Sequence, residues 1–104
     1  MKLFIDTSDS EKVVVALDGE RFEADARKEK SQKLLPFIDK LLSDKGKTLK
    51  DLTEIEVNTG PGSYTGLRVG VSVANALGWS LQIPVNGKKI SQNFVTKIKY
   101  DSDK

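Results

Sequence analysis

The chain contains no cysteine and no histidine. Without cysteine there is no disulfide framework, no thiolate nucleophile and no zinc knuckle or iron–sulfur site built on sulfur ligands. Without histidine there is no Ser-His-Asp triad, no HExxH metal site and no imidazole base. Any chemistry has to run on carboxylates, lysines, hydroxyls and backbone amides. No run of apolar residues approaches the eighteen or so that a membrane span requires. The opening apolar stretch Leu3-Phe4-Ile5 meets Asp6 at once, too short for a signal-peptide core, so the expected compartment is the cytoplasm. Charge of one sign is also scarce in net terms: 17 Lys and Arg against 15 Asp and Glu leave +2. Such a balance neither demands nor excludes a nucleic-acid partner.

What remains is a chain of 104 residues, 38% hydrophobic and 31% charged, enough for one core. Val13 to Leu17 is a β-branched run followed directly by Asp18-Gly19, a strong hairpin signal because both residues accept positive φ. Phe22, Ala24 and Ala26 alternate with Glu23, Asp25 and Arg27, giving a third strand with one wet face. Leu34, Leu35, Phe37, Ile38, Leu41 and Leu42 recur at helical spacing, and Pro36 places the helix start near Leu34 or kinks its first turn. Gly46 suits the end of that helix, and Thr48-Leu49-Lys50-Asp51 has the form of a capping box. Ile55 to Asn58 reads as a fourth strand. A second helix is expected from about Gly66 to Leu81, stopped by Pro84, with Ile83 and Val85 in a short fifth strand. Phe94, Thr96, Ile98 and Tyr100 allow an edge strand in the basic tail 88–104. The layout is α/β: a mixed sheet of about five strands with two main helices, its later strands parallel across helical crossovers.

Two features carry the functional reading. The first is Thr59-Gly60-Pro61-Gly62-Ser63-Tyr64-Thr65-Gly66, between a strand and a helix. Its bent backbone at a helix N-terminus suits a phosphate cradle built from Gly60, Gly62, Ser63, Thr65 and Gly66, or a close-packed turn that starts the helix. Its spacing fits neither the Walker A motif nor the dinucleotide fingerprint. The second is a stripe of small residues, Gly66, Gly70, Ala74 and Gly78, on a helix that is apolar on most sides. Only Arg68, Ser72 and Asn75 make a polar stripe. Glycine inside a helix costs about 1 kcal/mol relative to alanine, which suggests close approach of another backbone. On that reasoning a partner docks on Gly70, Ala74, Asn75 and Gly78 with Leu34, Phe37, Ile38 and Leu41 of the first helix, and Trp79 adds a hot-spot type. Bulky substitutions at Gly70 or Ala74 are then expected to abolish association and leave the monomer folded.

Asn58-Thr59-Gly60-Pro61-Gly62-Ser63-Tyr64-Thr65-Gly66-Leu67-Arg68-Val69-Gly70 resembles the GPGSFTGLRIG signature of the TsaB (YeaZ) family, with tyrosine in place of phenylalanine. Phe4-Ile5-Asp6-Thr7-Ser8 is similar to that family's opening strand, and Ser31-Gln32-Lys33-Leu34-Leu35-Pro36 to its first-helix entry. Lys30 stands where many members have histidine, and nothing after Gly87 matches. The resemblance thus covers residues 1–87 and implies an N-terminal lobe of the actin-like, RNase H-like (ASKHA) fold. It implies a noncatalytic scaffold, without cofactor or metal, in the formation of threonylcarbamoyladenosine beside the tRNA anticodon. Its implied partners are a TsaD-like paralogue or a second copy, with a TsaE-like ATPase joining them. Direct tRNA contact would fall to Lys88, Lys89, Lys97 and Lys99. A small phosphate-binding module is the alternative, and the resemblance adds Asp6 and Thr7 to its loop residues, since Asp6-Thr7-Ser8 sits where ATP-binding relatives keep a phosphate loop.

Overall fold

A computed structural model describes residues 1–9, 11–26 and 30–89. Strands β1 (Lys2–Asp6), β2 (Lys12–Leu17) and β3 (Glu20–Asp25) form an antiparallel meander. The β2–β3 turn is the expected one, with Asp18 and Gly19 at φ 49 and 90, both in the region a two-residue hairpin needs. Asp18 also accepts the Lys2 amide at 2.8 Å, tying the turn back to β1. Helix α1 (Lys30–Asp44) then crosses to β4 (Glu54–Val57), which lies parallel beside β1 with Ile5 opposite Val57. Helix α2 (Tyr64–Leu81) crosses in turn to β5 (Pro84–Val85), parallel to β4. The turn at Asn86-Gly87 leads into β6 (Lys88–Lys89), so the order across the sheet is β3-β2-β1-β4-β5-β6. The sixth strand goes beyond the five expected. The edge strand expected over 94–100, with Lys97 and Lys99, lies outside the described residues.

Alternation decides which side is the core. Leu3 and Ile5 of β1, Val13, Val15 and Leu17 of β2, and Ile55 and Val57 of β4 point one way. They form a single cluster with Leu34, Ile38, Leu41 and Leu42 of α1 and Val71, Ala74 and Leu77 of α2. Both helices therefore pack on the same face. The opposite face carries Lys2–Glu56 and Lys12–Glu23 ion pairs at 2.7 and 3.2 Å, exposed pairs of little energetic weight.

Two helix starts differ from the sequence reading. Helix α1 begins at Lys30, so Pro36 sits inside it on the solvent side. The ring removes one amide donor there, at a place where water can serve the freed carbonyl. Helix α2 begins at Tyr64, because Ser63 caps it by accepting the Gly66 amide at 3.3 Å. It ends before Pro84: Gln82 adopts φ 56 and the Ile83 amide reaches back to the Gly78 carbonyl at 3.1 Å. That six-to-one bond is a Schellman closure with glutamine in the place usually held by glycine. Gly46, at φ 70, closes α1 in the same way, with Lys47 donating to Leu42 at 2.8 Å. The Thr48 amide donates to Asp51 at 2.8 Å, as the capping-box reading expected.

Candidate functional site

The glycine-rich loop between β4 and α2 lies against the turn that follows β1. Gly60 and Gly62 take φ 127 and 157, beyond the reach of most side-chain-bearing residues. At Gly62 the reason is contact as well as torsion. A Cβ there would stand 2.5 Å from the Ser8 Cβ and 3.0 Å from its Cα. The Ser63 amide donates to the Ser8 carbonyl at 3.1 Å, so the two loops share a backbone bond.

Asp6 anchors this junction. Its Oδ1 accepts the Ser8 amide at 3.0 Å, the Ser8 hydroxyl at 2.6 Å and the Asn58 side-chain amide at 3.1 Å. Burial opposes ionisation of the carboxyl and is the largest single influence. The hydrogen bonds from Ser8 and Asn58, with the Arg21 charge, outweigh it and hold the group below its ordinary range. Asn58 in turn accepts the Gly60 amide at 3.0 Å.

Thr7 makes the deepest connection. It is fully buried, its hydroxyl donates to the Gly66 carbonyl at 2.5 Å, and it accepts the Gly70 amide at 3.2 Å. These two groups are four residues apart on α2 and would ordinarily bond to each other. The Thr7 oxygen bridges that rung, and only a residue without a Cβ leaves room for it at position 70.

This geometry changes the phosphate-cradle reading. The amides of Gly60, Ser63, Gly66 and Leu67 all have partners within the chain. The Thr7 hydroxyl is consumed by α2, and Asp6 presents an anion to the loop. Of the seven residues expected to cradle a phosphate, Thr7 is out of reach of any ligand. Gly60, Ser63 and Gly66 have committed their amides, and Gly62 is packed on Ser8. The half-buried or exposed remainder, including Thr65, does not make an anion site. The arrangement is a brace that fixes the start of α2.

The stripe of small residues also turns out to face inward. Gly66, Gly70, Ala74 and Gly78 are all buried in the chain's own interior. A Cβ on Gly70 would meet Thr7 Oγ1 at 2.5 Å, Ile5 Cγ2 at 3.3 Å and Val57 Cγ2 at 3.4 Å. The close approach inferred from glycine is real, but the neighbour is the β-sheet. Leu34, Ile38 and Leu41 are likewise core. Six of the eight residues expected to meet a partner, Leu34, Ile38, Leu41, Gly70, Ala74 and Gly78, are therefore withdrawn from any partner; Phe37 and Asn75 are half-buried. The expectation that Gly70 or Ala74 variants keep a folded monomer falls with them.

The outward side of α2 carries Tyr64, Thr65, Arg68, Ser72, Ala76 and Trp79. Trp79 is 52% exposed, Tyr64 47% and Leu35 of α1 41%, the large apolar side chains that the described surface leaves most open. The Arg68 guanidinium lies 5.7 Å from the Tyr64 ring centre. Beside it runs an open groove of about 350 Å³, floored by Val69 and Val73 and edged by Ser31, Thr65 and Ser72. The sequence held the signal for this face in the Arg68/Ser72/Asn75 stripe, which marks the side turned to water. Lys88 stands exposed at the far edge of the sheet on β6.

A mixed sheet with both helices on one face, entered by a strand–turn that braces a glycine-rich helix start, defines an α/β lobe of the actin-like class. The comparisons agree. The family model described as TsaD, tRNA N6-adenosine threonylcarbamoyltransferase, matches residues 24–89. The chain belongs to this family, and within it to the TsaB (YeaZ) group. It is 45% identical over 60 residues to the tRNA threonylcarbamoyladenosine biosynthesis protein TsaB of Bacillus subtilis, covering 58% of this chain and 26% of that protein. Against TsaB of Escherichia coli the identity is 37% over 60 residues, 58% of this chain and 26% of that one. Among solved structures, YeaZ from Pseudomonas aeruginosa superposes with a TM-score of 0.66 at 31% identity, covering 81% of this chain and 42% of its own. The chain thus spans about a quarter of those two curated relatives and about two fifths of that structure.

Proposed function

We propose that the chain acts as a noncatalytic scaffold in tRNA threonylcarbamoyladenosine formation, docking a TsaD-like paralogue or a second copy of itself through the outward side of its helix pair. A TsaE-like ATPase joins the assembly in this reading. The observation that carries it is the outward face of α2: Tyr64 stands half-exposed at an apolar groove and Trp79 half-exposed further along the same helix, whose other side is locked into the sheet. Exposed aromatic anchors on a rigid element are the usual makings of a binding hot spot. The hydroxyl and carboxylate of the β1 turn hold the loops together, which supports a structural part for them.

The test is a titration of the chain with a TsaD-like paralogue from the same host, read by sedimentation velocity. Trp79→Ala should weaken the complex at least tenfold with an unchanged far-UV spectrum, the ordinary loss for a hot-spot residue. Binding that is indifferent to Trp79 would remove the outward face from the interface. Calorimetry with ATP and ADP should show no binding at millimolar nucleotide, since the loop amides already have partners; saturable heat there would restore the phosphate-binding alternative.

A further inference from the structure

A buried hydroxyl needs a hydrogen-bond partner, and it can both give and receive. Thr7 is the one buried polar side chain among the described residues, and it finds both partners on the backbone of a single helix. The Gly66 carbonyl and the Gly70 amide lie one turn apart on α2, and 59 and 63 residues away along the chain. A bond to one point of a helix would leave it free to roll. Two bonds separated by a turn fix its axial position and its rotation together. The Ser63 amide on the Ser8 carbonyl holds the helix start from the neighbouring residue.

Rotation is what matters for the opposite side. Arg68, Ser72, Ala76 and Trp79 follow one another at three- and four-residue spacing, so a roll of α2 carries the whole stripe with it. We propose that Thr7 is a positioning residue: its hydroxyl sets the rotation of α2 and so presents the outward stripe to a partner. This rests on the docking reading above. Ala74 and Leu77 add apolar packing but no directional bond, so packing alone leaves the roll of the helix less defined.

The experiment compares Thr7→Val, which keeps the shape and loses the hydroxyl, with Thr7→Ser, which keeps the hydroxyl. The first readout is amide hydrogen exchange over 66–71 in the full chain. The second is affinity for the paralogue, measured beside Ile55→Val as a conservative core variant that leaves the Thr7 bonds to α2 in place. Thr7→Val should speed exchange at Gly70 by roughly tenfold, the equivalent of one buried hydrogen bond, and weaken partner binding by a similar factor. Thr7→Ser should hold both readouts near wild type. The proposal is overturned if Thr7→Val exchanges like wild type, or if it loses no more affinity than Ile55→Val. Should the valine variant not fold, serine carries the test: retained protection at Gly70 supports the proposal, and lost protection in a folded serine variant overturns it. A wild-type chain that binds no partner would sink the docking reading instead, and the exchange arm would still decide whether Thr7 holds the helix.

Discussion

Gly70→Ala sets two large effects against each other, and the structure decides which wins. In an open helix position the change stabilises by about 1 kcal/mol, because alanine gives up less backbone freedom than glycine. Here the new methyl stands 2.5 Å from Thr7 Oγ1, with Ile5 and Val57 methyls at 3.3 and 3.4 Å behind it. Thr7 cannot swing aside cheaply: it is branched at Cβ and fully buried. Overpacking a core site costs about 1–3 kcal/mol. Displacing the hydroxyl from Gly66 and Gly70 leaves it unsatisfied for about 1–3 kcal/mol more. Against the propensity gain the net is a loss of about 1–5 kcal/mol. Urea unfolding followed by tryptophan fluorescence should show a lower midpoint at constant slope, the signature of a pure stability change. The double variant Gly70→Ala/Thr7→Ala should recover part of the loss, since removing the hydroxyl and methyl of Thr7 vacates the space the new Cβ needs. The two sites must therefore couple strongly. A Gly70→Ala chain as stable as wild type would refute the reasoning, because it would mean that the Thr7 oxygen does not occupy the notch.

Ala76→Arg, on the exposed side of α2, should leave stability within about 0.5 kcal/mol and still break partner association, checked by pairing a urea melt with sedimentation. Ser63→Ala should lower stability by about 1 kcal/mol through loss of the cap on Gly66, while Ser63→Gly should cost only a few tenths. Asp6 gives a sign for pH. Its folded-state carboxyl titrates below the ordinary 3.8, so its contribution is present above that value and is lost as pH falls through the lower folded one. Wild type should lose stability on acidification below about pH 4, and Asp6→Asn should show a shallower fall over that window in urea melts taken from pH 5 downward.

Local chemistry was legible in the sequence to the extent that it is local. The Asp18-Gly19 hairpin, the β-branched run of β2, the alternation along β3 and the helical spacing of Leu34, Ile38, Leu41 and Leu42 each declare themselves within ten residues and form the elements expected, although the α1 row faces the core and not a partner. The glycine-rich segment was legible as a helix entry and as a family signature. Its role as a brace was not, because the deciding contacts join Thr7 to Gly66 and Gly70, about sixty positions away. A threonine after a short apolar run has no local mark of burial. Direction was the second thing hidden. Small residues at every fourth position say that something comes close, and a helix that is apolar on most sides does not say from where. Pro36 misled for a third reason: a proline inside a helix is tolerated on an edge where water reaches the freed carbonyl, a matter of exposure that sequence spacing does not carry.

The inward turn of the glycine stripe has a consequence for what the family signature means. Gly62 and Gly70 are explained within the chain by Ser8 and Thr7, without any partner. The most recognisable segment of the chain therefore encodes a helix-to-sheet joint. Likeness in that segment then follows from the fold they share, and a relative that docks elsewhere would need the same joint. On the docking proposed above, choice of partner is written where the joint is silent, along Arg68, Ser72, Ala76 and Trp79. Such an interface would meet its partner through side chains, with tryptophan as the anchor, and not through two backbones in contact. Its affinity should then depend on a few large residues and be insensitive to small substitutions around them. Grafting the outward residues of a relative with a different partner onto this α2, with Thr7 and the glycines untouched, should transfer that preference while leaving the urea midpoint where it was.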